Sequence, residues 1–169
     1  TQYSTPTMVI QDHKTGQVVA AATATGDKDA RTAKTRLGYL NFPTEIKKQT
    51  GSSMKPISVI APGLESRVIN AATVYIDQPT TWGTGANAYD PGNYDGYPRM
   101  YVTMRNAIEV SANIPHVKAL TNIGTETAIE FCKSVGMPDF SAEGLSLALG
   151  GLQDGVSPAK MAAAYSAIA

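Results

Sequence analysis

With 169 residues, of which 43% are hydrophobic and 17% charged, the chain is long enough for one domain with a sizeable core and too apolar for a disordered tail. Lys plus Arg and Asp plus Glu each number 14 and no basic run occurs, which argues against a nucleic-acid partner and against a polybasic membrane anchor. The single Cys132 rules out an internal disulfide, and the two histidines, His13 and His116, offer no metal-ligand spacing; no cofactor motif is present.

The opening "TQYSTPTM" has neither the charged nor the apolar region of a signal peptide, and no apolar stretch reaches bilayer length. Met8 to Asp12 and Gln17 to Ala22 carry Val and Ile and are separated by His13-Lys14-Thr15-Gly16. This pattern predicts a hairpin over about 8–22, with Gly16 free to take positive φ and Lys14 at the turn tip. From Thr23 to Lys48 the residues are small, polar and basic with weak periodicity, an irregular connection with room for one short helix.

"GSSMKPISVIAPGL", Gly51 to Leu64, predicts a helix over about 52–64. Ser52 or Ser53 is a candidate cap, Met54, Ile57, Ile60 and Ala61 recur at helical spacing as a core stripe, and Pro56 is tolerated only in the first turn. Pro79 to Arg99, rich in Gly, Pro, Asn and Tyr, predicts a long loop. Its rings Trp82, Tyr89, Tyr94 and Tyr97 are expected to fold inward as the loop's own small core, the alternative being the wall of a ligand groove.

A helical section follows over about 103–169. Thr103 caps a helix ending near Val110, "SANIP" interrupts, Pro115 starts the next helix and Gly124 stops it. Thr125 caps another, with Ile129, Cys132 and Val135 on one face and Gly136 as its end. Cys132 there reads as a buried small hydrophobe. Ser157-Pro158 opens the last helix, which runs to the end of the chain without a capping residue, an ending expected of a piece of a larger protein.

Two short motifs carry chemistry. Ser52-Ser53-Met54-Lys55 is S-x-x-K at a helix start, where positions i and i+3 share a face and an amine made neutral by burial or by the helix dipole can take the hydroxyl proton. Taken alone, this spacing recurs by chance in many proteins. Ser111-Ala112-Asn113 lies in a break between helices, where its hydroxyl and amide can face a cleft; in isolation it is ordinary loop chemistry, with Asn113 tolerating the left-handed conformation.

Taken together, "TGSSMKPISVIAPGLE", "NYDGYPRMYVTMRNAIEVSANIPHVKAL" and "LSLALGGLQDGVSPAKMAAAYSAIA" resemble, in order and separation, the transpeptidase domain of class A penicillin-binding proteins, from about Met8 to Ala169. The resemblance implies an α/β (α+β) fold of the penicillin-binding protein and serine β-lactamase type, an antiparallel sheet with a helical subdomain. Residues 1–169 would then be the front part of one such domain, with the sheet incomplete. It implies a D,D-transpeptidase in which Ser52 is acylated, Lys55 is its general base, Ser111 relays a proton to the leaving amine and Asn113 holds the amide of the acyl chain. Peptidoglycan stem peptides would be substrates, β-lactams inhibitors, and the location the extracytoplasmic face of a bacterial membrane.

The family's third motif, K-T-G, belongs on a strand well downstream of S-x-N. Here Lys14-Thr15-Gly16 precedes Ser52, and the hairpin assigns it to a turn. The expectation is that a K-T-G strand lies on a continuation or a second fragment, and that these 169 residues alone are inactive. A serine β-lactamase is the alternative enzyme, but "EGLSL" from Glu143 does not match the deacylating loop of one large class, and Glu126 and Glu130 have solvent-face spacing. A non-catalytic β-lactam or cell-wall sensor is the alternative from another class.

Overall fold

The computed structural model describes residues 6–23 and 43–169, so the expected irregular connection after Thr23 falls mostly outside them. The described residues divide into two compact units, one drawn from within 1–49, 135–138 and 154–169, the other of 50–134 and 139–153. Both are assembled from segments far apart in sequence.

In the first unit β1 (Thr7–Gln11) and β2 (Val18–Thr23) pair antiparallel, Val9 opposite Ala21, with a register shift at Ile10/Gln11. The turn closes where Gly16, at φ 73°, donates its N–H to Asp12 O at 2.8 Å. Asp12 Oδ1 accepts from the Lys14 N–H at 2.9 Å, and that bond holds the Asp12 carboxyl below its usual range. Lys14 is exposed, so its Lys-Thr-Gly is turn chemistry. Helix α5 (Pro158–Ala167), capped by Ser157, packs against β1. Side chains alternate along β1, and Met8 and Ile10 remain 62% and 48% exposed on the face turned from partial cover. Among the described residues this sheet has two strands, too few to bury both faces.

The second unit carries the S-x-x-K stretch, and its helix is not the regular one the periodicity predicts. Gly51–Met54 is a 3₁₀ turn, Pro56–Ile60 a π-helical turn, and α1 (Ala61–Glu65) α-helical. Two prolines explain this. Neither Pro56 nor Pro62 has an N–H, and a regular helix would drive the Pro62 ring into the carbonyl of Ser58; a wide turn, in which the Ala61 N–H reaches back to Pro56 O, relieves it. The wider turn also moves the buried face. Ile57, Ser58, Val59, Pro62 and Gly63 are buried, whereas Ile60 and Ala61 of the expected stripe are only half-buried. Neither serine caps the helix. Both lie inside the 3₁₀ turn, and Ser53 Oγ donates to Thr50 O at 2.6 Å.

A second small sheet, not anticipated from the sequence, pairs β3 (Val74–Ile76) with β4 (Tyr101–Thr103), Tyr75 opposite Val102 and both buried. Three-residue strands give no periodic signal. The ladder ties together the two ends of the long loop, whose rings behave differently from expectation. Trp82 and Tyr89 pair across a bridge with centroids 6.4 Å apart, but Tyr94 is fully exposed, so the four rings form no common core.

Thr103 Oγ1 accepts from the Asn106 N–H at 3.2 Å and caps α2 (Met104–Glu109). Helix α3 (Asn113–Ile123) stops at Gly124, φ 88°, and α4 (Thr125–Ser134) buries Ala128, Ile129 and Cys132. Burial pushes the Cys132 thiol up to about 12, so it packs as a small hydrophobe. A 3₁₀ turn, Leu145–Leu149, lies behind the Ser52 turn: Ser58 Oγ is 3.0 Å from Leu147 O, and Gly150, at φ 70°, sits so close that a Cβ there would overlap Gly51 O and Thr50 Oγ1. Gly150→Ala should cost about 2 kcal/mol or more, from left-handed strain plus backbone overlap. Denaturant unfolding of the full-length protein reads it, and an unchanged midpoint would contradict the close approach.

Candidate active site

The site is built around a buried lysine. Lys55 follows the 3₁₀ turn directly and its side chain is fully buried. An ammonium has three donors, and all three are placed: Nζ lies 2.7 Å from Ser111 O, 2.9 Å from Ser111 Oγ and 2.7 Å from Asn113 Oδ1. No carboxylate among the described residues forms an ion pair with it. Burial, uncompensated by a countercharge, pushes Lys55 down from its ordinary 10.5 to about 8.

Ser111 reaches Lys55 through both carbonyl and hydroxyl because the end of α2 turns sharply. The Ser111 N–H bonds to Ile108 O at 3.2 Å and the Ala112 N–H to Ala107 O at 2.9 Å, the two bonds of a Schellman cap. Its left-handed position is usually glycine; here Ser111 occupies it at φ 55°. The left-handed residue is thus Ser111, not Asn113, which is the first residue of α3.

The turn is pinned from two sides. His116, one turn into α3 and fully buried, lies with Nδ1 2.6 Å from Ala112 O; a carbonyl only accepts, so Nδ1 carries the proton. Burial, reinforced by the nearby Lys55 charge, pushes His116 down to about 4. From the long loop, Gly92 O accepts from Asn113 Nδ2 at 2.6 Å, and Asn93 Oδ1 accepts from the Asn113 N–H at 2.6 Å. Sequence reasoning singled out neither His116 nor Asn93 for the site. The sequence reading starts α3 at Pro115, two residues late, and so gives no sign that the N–H groups of Asn113 and Ile114 need a cap.

The structure therefore brings Lys55, Ser111 and Asn113 into direct contact. Ser52 lies on the turn preceding Lys55, exposed, and its hydroxyl has no hydrogen-bond partner among the described residues, whereas Ser53 is tied to Thr50. An exposed hydroxyl on the turn that leads into a buried amine of lowered pKa can supply the nucleophile and base of acyl transfer. Among the described residues no three His, Cys, Asp or Glu side chains cluster to hold a metal.

Residues 7–169 match the family model of the penicillin binding protein transpeptidase domain, and the chain belongs to that family. It is 38% identical over 161 residues to penicillin-binding protein 1F of Bacillus subtilis (strain 168), covering 95% of this chain and 21% of that protein. It is 32% identical over 173 residues to penicillin-binding protein 1A of Clostridium botulinum (strain Langeland), covering 96% and 20%. The 2.6 Å crystal structure of penicillin-binding protein 1A from Haemophilus influenzae superposes with a TM-score of 0.69 at 27% identity, over 77% of this chain and 19% of that one. The class A resemblance and the fold class read from the sequence hold, and the chain spans about one fifth of these relatives' length.

Two outcomes follow from the geometry. Ser111→Gly and Ser111→Ala both remove the hydroxyl, but only alanine keeps the left-handed strain, so the glycine variant should be more stable by about 1 kcal/mol; equal melting temperatures would contradict the strained cap. For His116 the folded pKa is below the unfolded one, so the unfolded state takes up a proton first as pH falls. Stability should drop by about 3 kcal/mol between pH 6.5 and 4 on this account, a loss that His116→Asn abolishes. Identical pH slopes for the two proteins would dismiss it.

Proposed function

We propose that the protein containing this chain is a D,D-transpeptidase that cross-links peptidoglycan stem peptides through a serine acyl-enzyme on Ser52 and is inhibited by β-lactams. The observation that carries this reading is the buried Lys55, with its pKa lowered to about 8, held by Ser111 and Asn113 in a chain of the penicillin-binding transpeptidase family. At pH 7 roughly one tenth of such a lysine is neutral, against about three parts in ten thousand for an ordinary one. The gain in available base is several-hundred-fold.

In the proposed cycle Lys55 takes the Ser52 proton as Oγ bonds to the carbonyl carbon of the penultimate D-alanine. The neutral amine keeps two N–H donors, matched by Ser111 O and Asn113 Oδ1, and turns its lone pair to accept a proton. Ser111, hydrogen-bonded to Nζ at 2.9 Å, passes that proton to the leaving amine as the C–N bond breaks, and D-alanine departs. An amine of a neighbouring stem peptide then attacks the ester, gives up a proton by the reverse route and releases Ser52. Both ends of the Asn113 amide are engaged within the protein, leaving one oxygen lone pair and one N–H for the acyl chain.

The carboxylate-binding K-T-G strand is assigned to polypeptide outside these 169 residues, as continuation or second fragment, with residues 1–169 the front part of the domain. The exposed apolar face of β1 and β2 supports that assignment. Glu126 and Glu130 are exposed on α4, and Glu143 is hydrogen-bonded to the Gln153 N–H, which favours a long-lived acyl-enzyme over a lactamase. The site would work on the extracytoplasmic face of the membrane; no helix among the described residues is long and apolar enough to cross one.

Fluorescent penicillin and the full-length protein test this reading. Labelling should vanish in Ser52→Ala, persist in Ser53→Ala and fall by about 100-fold or more in Lys55→Met. The acylation rate should rise with pH through about 8, because the base acts deprotonated. Covalent label on Ser52→Ala would eliminate Ser52 as nucleophile, and transfer of a labelled acceptor amine into product separates a transpeptidase from a sensor.

A further inference from the structure

The loop from Pro79 to Arg99 carries the middle of a run of hydrogen bonds from Asp77 to Asn113, whose side chain accepts from Lys55. The run starts at Asp77, fully buried just after β3, whose N–H bonds to Met100 O at 2.9 Å. Asp77 Oδ1 accepts from Asn93 Nδ2 at 2.7 Å, and Oδ2 lies 3.4 Å from Arg99 Nε. The Arg99 guanidinium is in turn fastened to Asp95 by bonds of 2.9 and 3.2 Å. The turn bearing Asn93 is thereby clamped at both sides.

Each link has only one workable polarity. An ionised carboxylate only accepts, so the Asn93 amide must present its NH₂ to Asp77. Its oxygen must then face the other way, where it meets the N–H groups of Asn113 at 2.6 Å and Ile114 at 3.4 Å. Those are orphan donors at the start of α3, and Asn93 caps them from outside the helix. With the Asn113 backbone fixed and its NH₂ held by Gly92 O, the Asn113 oxygen is the end left facing Nζ, which as an ammonium only donates.

We infer that Asn93 is a positioning residue of the active site: its oxygen, turned toward α3 by Asp77, fixes the Asn113 backbone, so that the Asn113 amide, its NH₂ held by the neighbouring Gly92 O, keeps an acceptor facing Lys55. Losing it frees the first turn of α3 to shift and the Asn113 amide to turn its NH₂ toward a cation. A displacement on the order of 1 Å at a catalytic base costs up to about 100-fold in rate. The inference rests on the reading of Ser52 and Lys55 as nucleophile and base.

The test is a polarity swap in the full-length protein, read as the second-order rate of fluorescent-penicillin acylation alongside the melting temperature. Asn93→Ala should acylate about 10- to 100-fold more slowly. Asn93→Asp should do the same, because two carboxylates then face each other across a buried 2.7 Å contact. Adding Asp77→Asn to Asn93→Asp restores a donor opposite an acceptor and should recover most of the lost rate. A wild-type rate in Asn93→Ala overturns the inference, as does a swap that recovers melting temperature but not acylation. A Ser52→Ala control that still labelled would instead unseat the nucleophile, so the two failures are told apart.

Discussion

The interaction on which the rest depends is the burial of the Lys55 charge against three neutral acceptors. Removing an ammonium from water with no countercharge among the described residues is costly, and the drop from 10.5 to about 8 shows that its hydrogen bonds do not fully offset that cost. A structural core has no use for that cost. The proton acceptor proposed here does, because the same desolvation that destabilises the ammonium makes the free amine available. The neighbouring groups keep the balance: Ser111 and Asn113 satisfy the amine in either state, while His116 is held neutral and adds no second positive charge.

Irregular backbone gathers where that lysine must be served. Regular helix gives way to 3₁₀ and π turns around Lys55, a serine stands in a left-handed position at Ser111, and Gly150 admits the Leu145–Leu149 turn against the backbone of Gly51. Each departs from the most stable local choice, and each is over-determined by contacts made elsewhere in the unit, such as the Schellman bonds of Ser111 and the two hydrogen bonds available to Ser58. Strain of this kind is tolerated where it sets the direction of functional atoms.

The long loop shows why composition misleads about purpose. Its aromatic residues attract notice, yet Tyr94 is exposed and only Trp82 and Tyr89 pair. Its contribution to the site comes instead from Gly92 O and the Asn93 amide, small groups whose value lies in where the β3–β4 ladder and the Asp77–Arg99–Asp95 contacts hold them.

What could be read from the residues in order was whatever is encoded within a turn of chain. The hairpin at Gly16, the cap at Thr103, the stop at Gly124 and the Ser-Pro start of α5 are local hydrogen-bond and dihedral preferences, visible in four or five letters. Ser52 and Lys55 share a turn, so their chemistry could be argued from spacing; Ser111 and Asn113 stood out as a polar break between helices, and family resemblance supplied their roles. The remaining features depend on residues that meet only through folding. Which face the turn before Pro62 buries is settled by the segments packed on it, Asn93 acts on Asn113 from 20 positions away, and Lys55 finds its acceptors 56 and 58 positions on. A hydrogen bond between distant segments has no signature in either one alone, because its geometry is decided by the packing that brings them together.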